Sequence, residues 1–213
     1  LDHNRSNTMV HYFLEGGGFM WPILLTLLFG LGFAIERFYS LMMSAVDSQS
    51  FFDEITSAIN ENGAAAAVQV CEKTEGPVAA IFHAGLSRMH RGLRDVEKAI
   101  QNAGSIEMAF LEKNMIWLNA VITIAPMLGF TGTVVGMIAA FDAIKAANDI
   151  SPAVVAGGIS QALLTTAFGL IVAMIIQTCQ NLFVSRIDKL VLDMEEQSVK
   201  IMDHLYEQEA KKQ

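Results

Sequence analysis

The sequence predicts an all-α integral membrane protein with three transmembrane helices, two of them extending into a cytoplasmic helical bundle. Of its 213 residues, 53% are hydrophobic, and they gather in three long runs instead of spreading along the chain. Between and after these runs, apolar residues recur every three or four positions, which is the spacing of one helix face. No alternating pattern of the strand type accompanies them. A net charge of −8 without a basic stripe argues against a nucleic-acid binder. Cys71 and Cys179, the only cysteines, make neither a disulfide framework nor a zinc site. No cofactor or metal is expected.

Residues 1–18 read as an N-terminal periplasmic or interfacial segment. Met9 makes a natural start after a largely polar stretch, and Val10, Phe13 and Leu14 form one amphipathic turn before Gly16-Gly17-Gly18 breaks it. Residues 19–36 are the first transmembrane helix, with Trp21 where an interfacial anchor belongs. Glu36 and Arg37 are expected to end it as an exposed or mutually paired dipeptide.

Residues 37–115 form a cytoplasmic helical domain. Asp47 or Ser48 caps a helix whose Phe51, Phe52, Ile55 and Ile59 make an apolar face, and Asn62-Gly63 stops it. A second helix runs through the alanines to Cys71 and Lys73, and Gly76-Pro77 starts a third that ends near Met89. From Leu93, the residues Val96, Ile100, Ala103, Ile106 and Phe110 lead without a breaker into the next apolar run. One long helix is therefore expected to leave the membrane and continue about 30 Å into solvent. His83, His90 and His204 lack ligand spacing.

Residues 116–141 are the second transmembrane helix, long enough to cross a hydrocarbon core of roughly 30 Å. Ala125, Gly129, Gly132, Gly136 and Ala140 fall on one of its faces, where missing side chains let another helix approach closely. Pro126 removes a backbone donor and frees a carbonyl one turn earlier. The hydroxyls of Thr131 and Thr133 lie in the same region. They either bond back to carbonyls of their own helix or lie on an ion path. Residues 142–152 are a short periplasmic loop, with Ser151-Pro152 as cap and first helical residue of the third long helix. Residues 153–184 are the third transmembrane helix, too long for an untilted crossing. It continues through 185–213 as a cytoplasmic C-terminal helix with Phe183, Ile187, Leu190, Met194, Ile201 and Leu205 as its apolar seam, packed beside the helix that begins near Leu93. Basic residues fall mostly on the side of the large loop and the C-terminus, which places both in the cytoplasm and the N-terminus outside.

Two blocks carry a resemblance. Ala125-Pro126-Met127-Leu128-Gly129-Phe130-Thr131-Gly132-Thr133-Val134-Val135-Gly136 resembles the A-P-x-x-G-x-x-G-T-V-x-G signature of the MotA/TolQ/ExbB proton-channel family, on its ExbB/TolQ side. The stretch from Gly158 to Leu170 is similar to the family's third-helix motif, G-I-x-E-A-L-x-x-T-A-x-G-L, with Gln161 where the family commonly has Glu. Gln161 can hydrogen-bond but cannot carry a proton. No Asp, Glu, Lys, Arg or His lies deep in any of the three runs, so the chain offers no side-chain carboxylate of its own as a proton relay.

The resemblance implies a subunit of an ion-driven motor of the bacterial inner membrane, with protons as the expected ion, although threonines serve protons or sodium alike. It implies a homo-pentameric ring around an ExbD/TolR-like single-span partner that carries the protonatable Asp, driving a TonB- or TolA-like transducer. It assigns the ion pathway to Thr133, Thr166, Thr165, Thr131 and Gln161, and helix packing to Ala125, Pro126, Gly129, Gly132, Gly136 and Gly169. On the third run, Gly158, Ala162, Thr165 or Thr166, Gly169 and Ala173 make a small, weakly polar face that either lines a pore or packs between subunits. A non-conducting membrane scaffold is the rival reading. An enzyme is not expected, since no nucleophile, base and orienter set appears.

Overall fold

A computed structural model of the protein describes residues 10–44, 48–147 and 152–212. Among these residues every regular element is helical. In chain order, after a helical stretch at residues 10–15, they are α1 (Met20–Met43), α2 (Ser48–Asn62), α3 (Ala64–Lys73), α4 (Pro77–Leu86), a 3₁₀ turn (Met89–Arg91), α5 (Leu93–Leu111), α6 (Met115–Ala147) and α7 (Pro152–Lys212). Three helical stretches, containing α1, α6 and α7, are long and apolar enough to cross a membrane. Met9, Asp47, Asp149 and Ser151 lie outside the described residues.

The helix boundaries arise from local chemistry. Gly63 ends α2, taking the left-handed φ of 79° that its missing Cβ permits while its N–H bonds the Ile59 carbonyl. Pro77 opens α4, where its fixed φ suits a first helical turn and its absent N–H is not needed.

Two expectations fail at helix ends. The single helix expected from Leu93 into the second apolar run is two helices, α5 and α6, separated at residues 112–114. Glu112 N–H bonds the Met108 carbonyl at 3.0 Å, Lys113 N–H bonds Phe110 at 3.2 Å, and Asn114 turns to a φ of 65°. Asparagine is the non-glycine residue that best tolerates this conformation, so Asn114 was the breaker in plain sight. Nor do Glu36 and Arg37 end the first helix, because α1 runs on to Met43. Arg37 is buried, not exposed, and its Nη1 donates to the Leu111 carbonyl at 3.4 Å. That carbonyl closes α5, where a cation complements the helix dipole.

The chain forms two compact units. One comprises Leu1–Glu36 and Asn114–Asn181. In it α1 meets both other long helices at Gly30, where an added Cβ would lie 2.9 Å from Ile176 Cδ1 and 3.1 Å from Val121 Cγ1. Phe29 and Phe33 pack on Trp117 with ring centroids 6.0 Å apart, an aromatic cluster joining α1 to α6. Glu36 Oε2 accepts a hydrogen bond from Asn114 Nδ2 at 3.2 Å.

The other unit comprises Arg37–Lys113 and Leu182–Gln213. Phe51, Ile55 and Ile59 of α2 are buried with Cys71 of α3, Ile81 and Phe82 of α4, and Val96 and Ile100 of α5. Phe51 stacks on Phe82 at 5.8 Å, and Gly85 lets Ile100 approach to 2.6 Å of where a Cβ would stand. The predicted seam of α7, from Phe183 through Leu205, is buried at all six named positions. Gln197 interrupts it. The amide is buried between Met194 and Ile201 in sequence, and its Oε1 has no hydrogen-bond partner among the described residues.

Candidate functional site

The small residues of α6 meet the small residues of α7 within this chain. A Cβ on Gly129 would stand 2.8 Å from the Thr165 carbonyl oxygen and 3.0 Å from Thr166 Cα. One on Gly169 would stand 2.6 Å from the Ala125 carbonyl oxygen and 3.2 Å from Gly129 Cα. Gly136 faces Ala162 in the same way, and Gly158 faces Ala140. At each of these crossings backbone lies against backbone, which only missing side chains allow. Ala125, Gly129, Gly132, Gly136 and Gly169 thus all lie against α7 or α6 of the same chain, and α6 passes through Pro126 as one helix.

On the third run's small face, Ala162 and Thr165 are each 1% exposed beneath α6 of the same chain, and Ala173 is 9% exposed. Thr165 sits inside the pair, its Oγ1 donating to the Ala162 carbonyl at 2.8 Å, and its side chain fills the space beside Gly132. Thr131 is exposed and bonds back to the Met127 carbonyl at 2.8 Å, the local arrangement open to any helical threonine.

Thr133 and Thr166 are different. They are half-buried, and their hydroxyls are in direct hydrogen-bond contact across the two helices. Thr133 Oγ1 also lies 3.0 Å from the Ala162 carbonyl and 3.3 Å from its own Gly129 carbonyl, and Thr166 Oγ1 lies 3.2 Å from Gly129 O. Two hydroxyls and two carbonyls thus converge at one point.

The protons can be counted. Each hydroxyl owns one, and each has an acceptor inside the cluster, either a carbonyl or the other hydroxyl. What remains to face a newcomer is lone pairs. The cluster therefore accepts a hydrogen bond or a cation readily, whereas binding an anion requires a hydroxyl to give up an internal bond worth about 1 kcal/mol.

Gln161 is placed elsewhere. Its amide Nε2 packs on Gly17, which has a φ of 71° and no room for a Cβ. The glycine-rich lead before α1 is thereby tied to the start of the α7 motif. Sequence reasoning missed this contact and missed the two carbonyls of the threonine cluster, since neither leaves a mark on residue type. Farther along α7, Gln177 Nε2 donates to Asn181 Oδ1 at 2.9 Å within the same helix, and Gln180 Oε1 is buried without a partner among the described residues.

Three apolar helices of membrane length, two of them locked together by small residues, make this a multi-pass membrane protein. The chain belongs to the MotA/TolQ/ExbB proton channel family, whose model matches residues 73–196. It is 30% identical over 186 residues to an ExbB homolog of Methanothermobacter thermautotrophicus named for biopolymer transport, covering 87% of this chain and 66% of that protein. It is 25% identical over 172 residues to a Synechocystis protein named ExbB-like 3, covering 80% and 82%. It is 35% identical over 81 residues to the TolQ protein of the Tol-Pal system of Haemophilus influenzae, covering 38% and 36%. The chain thus spans just under two thirds of the length of its Methanothermobacter relative.

Proposed function

We propose that this chain is an ExbB/TolQ-like subunit of an ion-driven motor in the bacterial inner membrane. In this reading five copies form a ring around the transmembrane helices of an ExbD/TolR-like partner whose single span carries a protonatable Asp. The N-terminus and the short loop after α6 are periplasmic, and the α2–α5 domain and C-terminus are cytoplasmic. Ion entry moves the partner, which does work on a TonB- or TolA-like transducer. Each charge crossing contributes about 2.3 kcal/mol per 100 mV of potential.

The observation that supports this most is the Thr133–Thr166 cluster, half-buried at the edge of the helix pair in spans that hold no Asp, Glu, Lys, Arg or His deep within them. Because its free valences are lone pairs, it favours the partner's carboxyl in its protonated, donating form. It thus gives a neutral acid a place to rest inside the ring, while a carboxylate is better served by water at either end. Proton loading would then be coupled to where the partner helix can sit.

The test is proton flux in liposomes holding the chain and its single-span partner, with native mass spectrometry of the same preparation. The motor reading expects a pentamer that gains two partner copies, and Thr133→Val and Thr166→Val variants that assemble but conduct at most about one tenth as much. A monomer or dimer that ignores the partner sinks the ring. Assembled variants with wild-type ion-coupled activity favour the rival, a non-conducting scaffold that recruits proteins through its helical domain.

A further inference from the structure

The unit formed by Arg37–Lys113 and Leu182–Gln213 contains a cavity of about 730 Å³ that the motor reading leaves unused. Its lining joins two chemistries. Tyr39, Met43 and Phe110 contribute large apolar surfaces that are 68%, 53% and 52% exposed. Glu72 of α3, Glu75 just after it and Glu107 of α5 contribute three carboxylates, and no lysine or arginine lines the cavity.

Glu72 approaches His83 Nε2 at 3.6 Å, and Glu107 is half-buried, with burial raising its carboxyl above the usual range. Surface leucines or tyrosines exposed singly need no explanation, but here such side chains converge with three carboxylates on one concavity.

Three kinds of ligand can be compared on charge and shape. A lone metal ion does not fit, since no three acidic, histidine or cysteine side chains among the described residues are grouped to hold one. A phospholipid headgroup would bring a phosphate to a wall that offers no lysine or arginine. A polypeptide segment that alternates cationic and apolar side chains matches both the spread of the carboxylates and the apolar surfaces between them.

Position narrows the source. Tyr39 and Met43 lie on α1 about 6 and 12 Å beyond Ile35, where the first apolar run ends. At that depth a chain is leaving the bilayer on the side that the motor reading, on which this step rests, places in the cytoplasm, where juxtamembrane segments are rich in lysine and arginine.

We propose that this cavity receives the basic juxtamembrane segment of a second membrane protein, its lysine or arginine side chains on Glu72, Glu75 and Glu107 and its apolar side chains on Tyr39, Met43 and Phe110. The site shares no residue with the threonine cluster, so either can fail without the other.

The test uses the full chain in nanodiscs of zwitterionic lipid and a short end-capped fluorescent peptide alternating arginine with leucine, monitored by anisotropy at low and high salt. Binding to wild type should weaken with salt and fall at least about tenfold in the Glu72→Gln/Glu75→Gln/Glu107→Gln variant. A charge-matched control, Asp203→Asn/Glu207→Gln/Glu209→Gln, should bind like wild type. Tyr39→Ser/Met43→Ser should also weaken binding with all carboxylates retained. Equal binding to wild type and the cavity variant would show general attraction to an acidic protein and overturn the proposal, as would no binding at all. A phospholipid held by wild type and lost from the cavity variant in native mass spectrometry would overturn it in favour of a headgroup site.

Discussion

Replacing Gly169 by alanine tests whether α6 and α7 are held as closely as described. The new methyl would stand 2.6 Å from the Ala125 carbonyl oxygen and 3.2 Å from Gly129 Cα. An ordinary carbon–oxygen approach is about 3.3–3.6 Å, so the helices must part by about 0.7–1.0 Å. Both obstacles are backbone, and no rotamer change relieves them. The separation would stretch the 3.0 Å contact of Thr133 with Ala162 O and the 3.2 Å contact of Thr166 with Gly129 O beyond hydrogen-bond range. Overpacking costs about 2 kcal/mol. Two interhelical hydrogen bonds add about 1 kcal/mol together. Alanine's better helix propensity returns about 1 kcal/mol. The net is a loss of about 2 kcal/mol, a fall in melting temperature on the order of 5 °C. Gly32→Ala, where nothing lies within 4 Å of the new Cβ, keeps the propensity gain without the clash and should melt at or above wild type. The assay is thermal unfolding in mild detergent, read from the fluorescence of Trp21 and Trp117. Gly169→Ala unfolding at the wild-type temperature would refute the close crossing.

Three further substitutions and one labelling experiment probe the same structure. Gln197→Met should stabilise the protein by about 1–2 kcal/mol in denaturant melts, because it removes a buried carbonyl oxygen that has no partner and keeps the seam filled. Arg37→Met should cost about 1–3 kcal/mol by leaving the Leu111 carbonyl without its cationic donor, and hydrogen exchange should show the last turn of α5 opening more often. Burial pushes the Cys71 thiol up from 9.0 to about 12, so iodoacetamide at mildly alkaline pH should label it only after unfolding. Because the folded thiol holds its proton more tightly than the unfolded one, its contribution to stability is complete below pH 9.0 and declines as pH rises toward about 12, and Cys71→Ala should flatten that part of the stability profile.

Much of this protein is legible from local pattern. The three apolar runs, the stop at Asn62-Gly63, the start at Pro77 and the α7 seam are each set by residues within a few turns of one another. A helix reads its own hydrophobic period and caps without reference to the rest of the chain. The family motifs are legible for the same reason, since each lies inside one helix. The break at Asn114 was also local, and was hidden only because apolar spacing continues across it.

The tertiary structure decided how the two small-residue rows register. Glycines every three or four positions make a smooth groove along which a partner helix could settle at several offsets or on another chain, and sequence spacing is the same in all of them. Backbone packing of Gly129 on Thr166 and of Gly169 on Ala125 selects one register. That single choice buries Thr165, leaves Thr131 outside, and brings the hydroxyls of Thr133 and Thr166 together with two carbonyls that no residue name reveals. Tertiary packing equally decides that Arg37 turns inward, since a charged side chain after an apolar run reads as an interfacial stop until the carbonyl that receives it, 74 residues later, is in place.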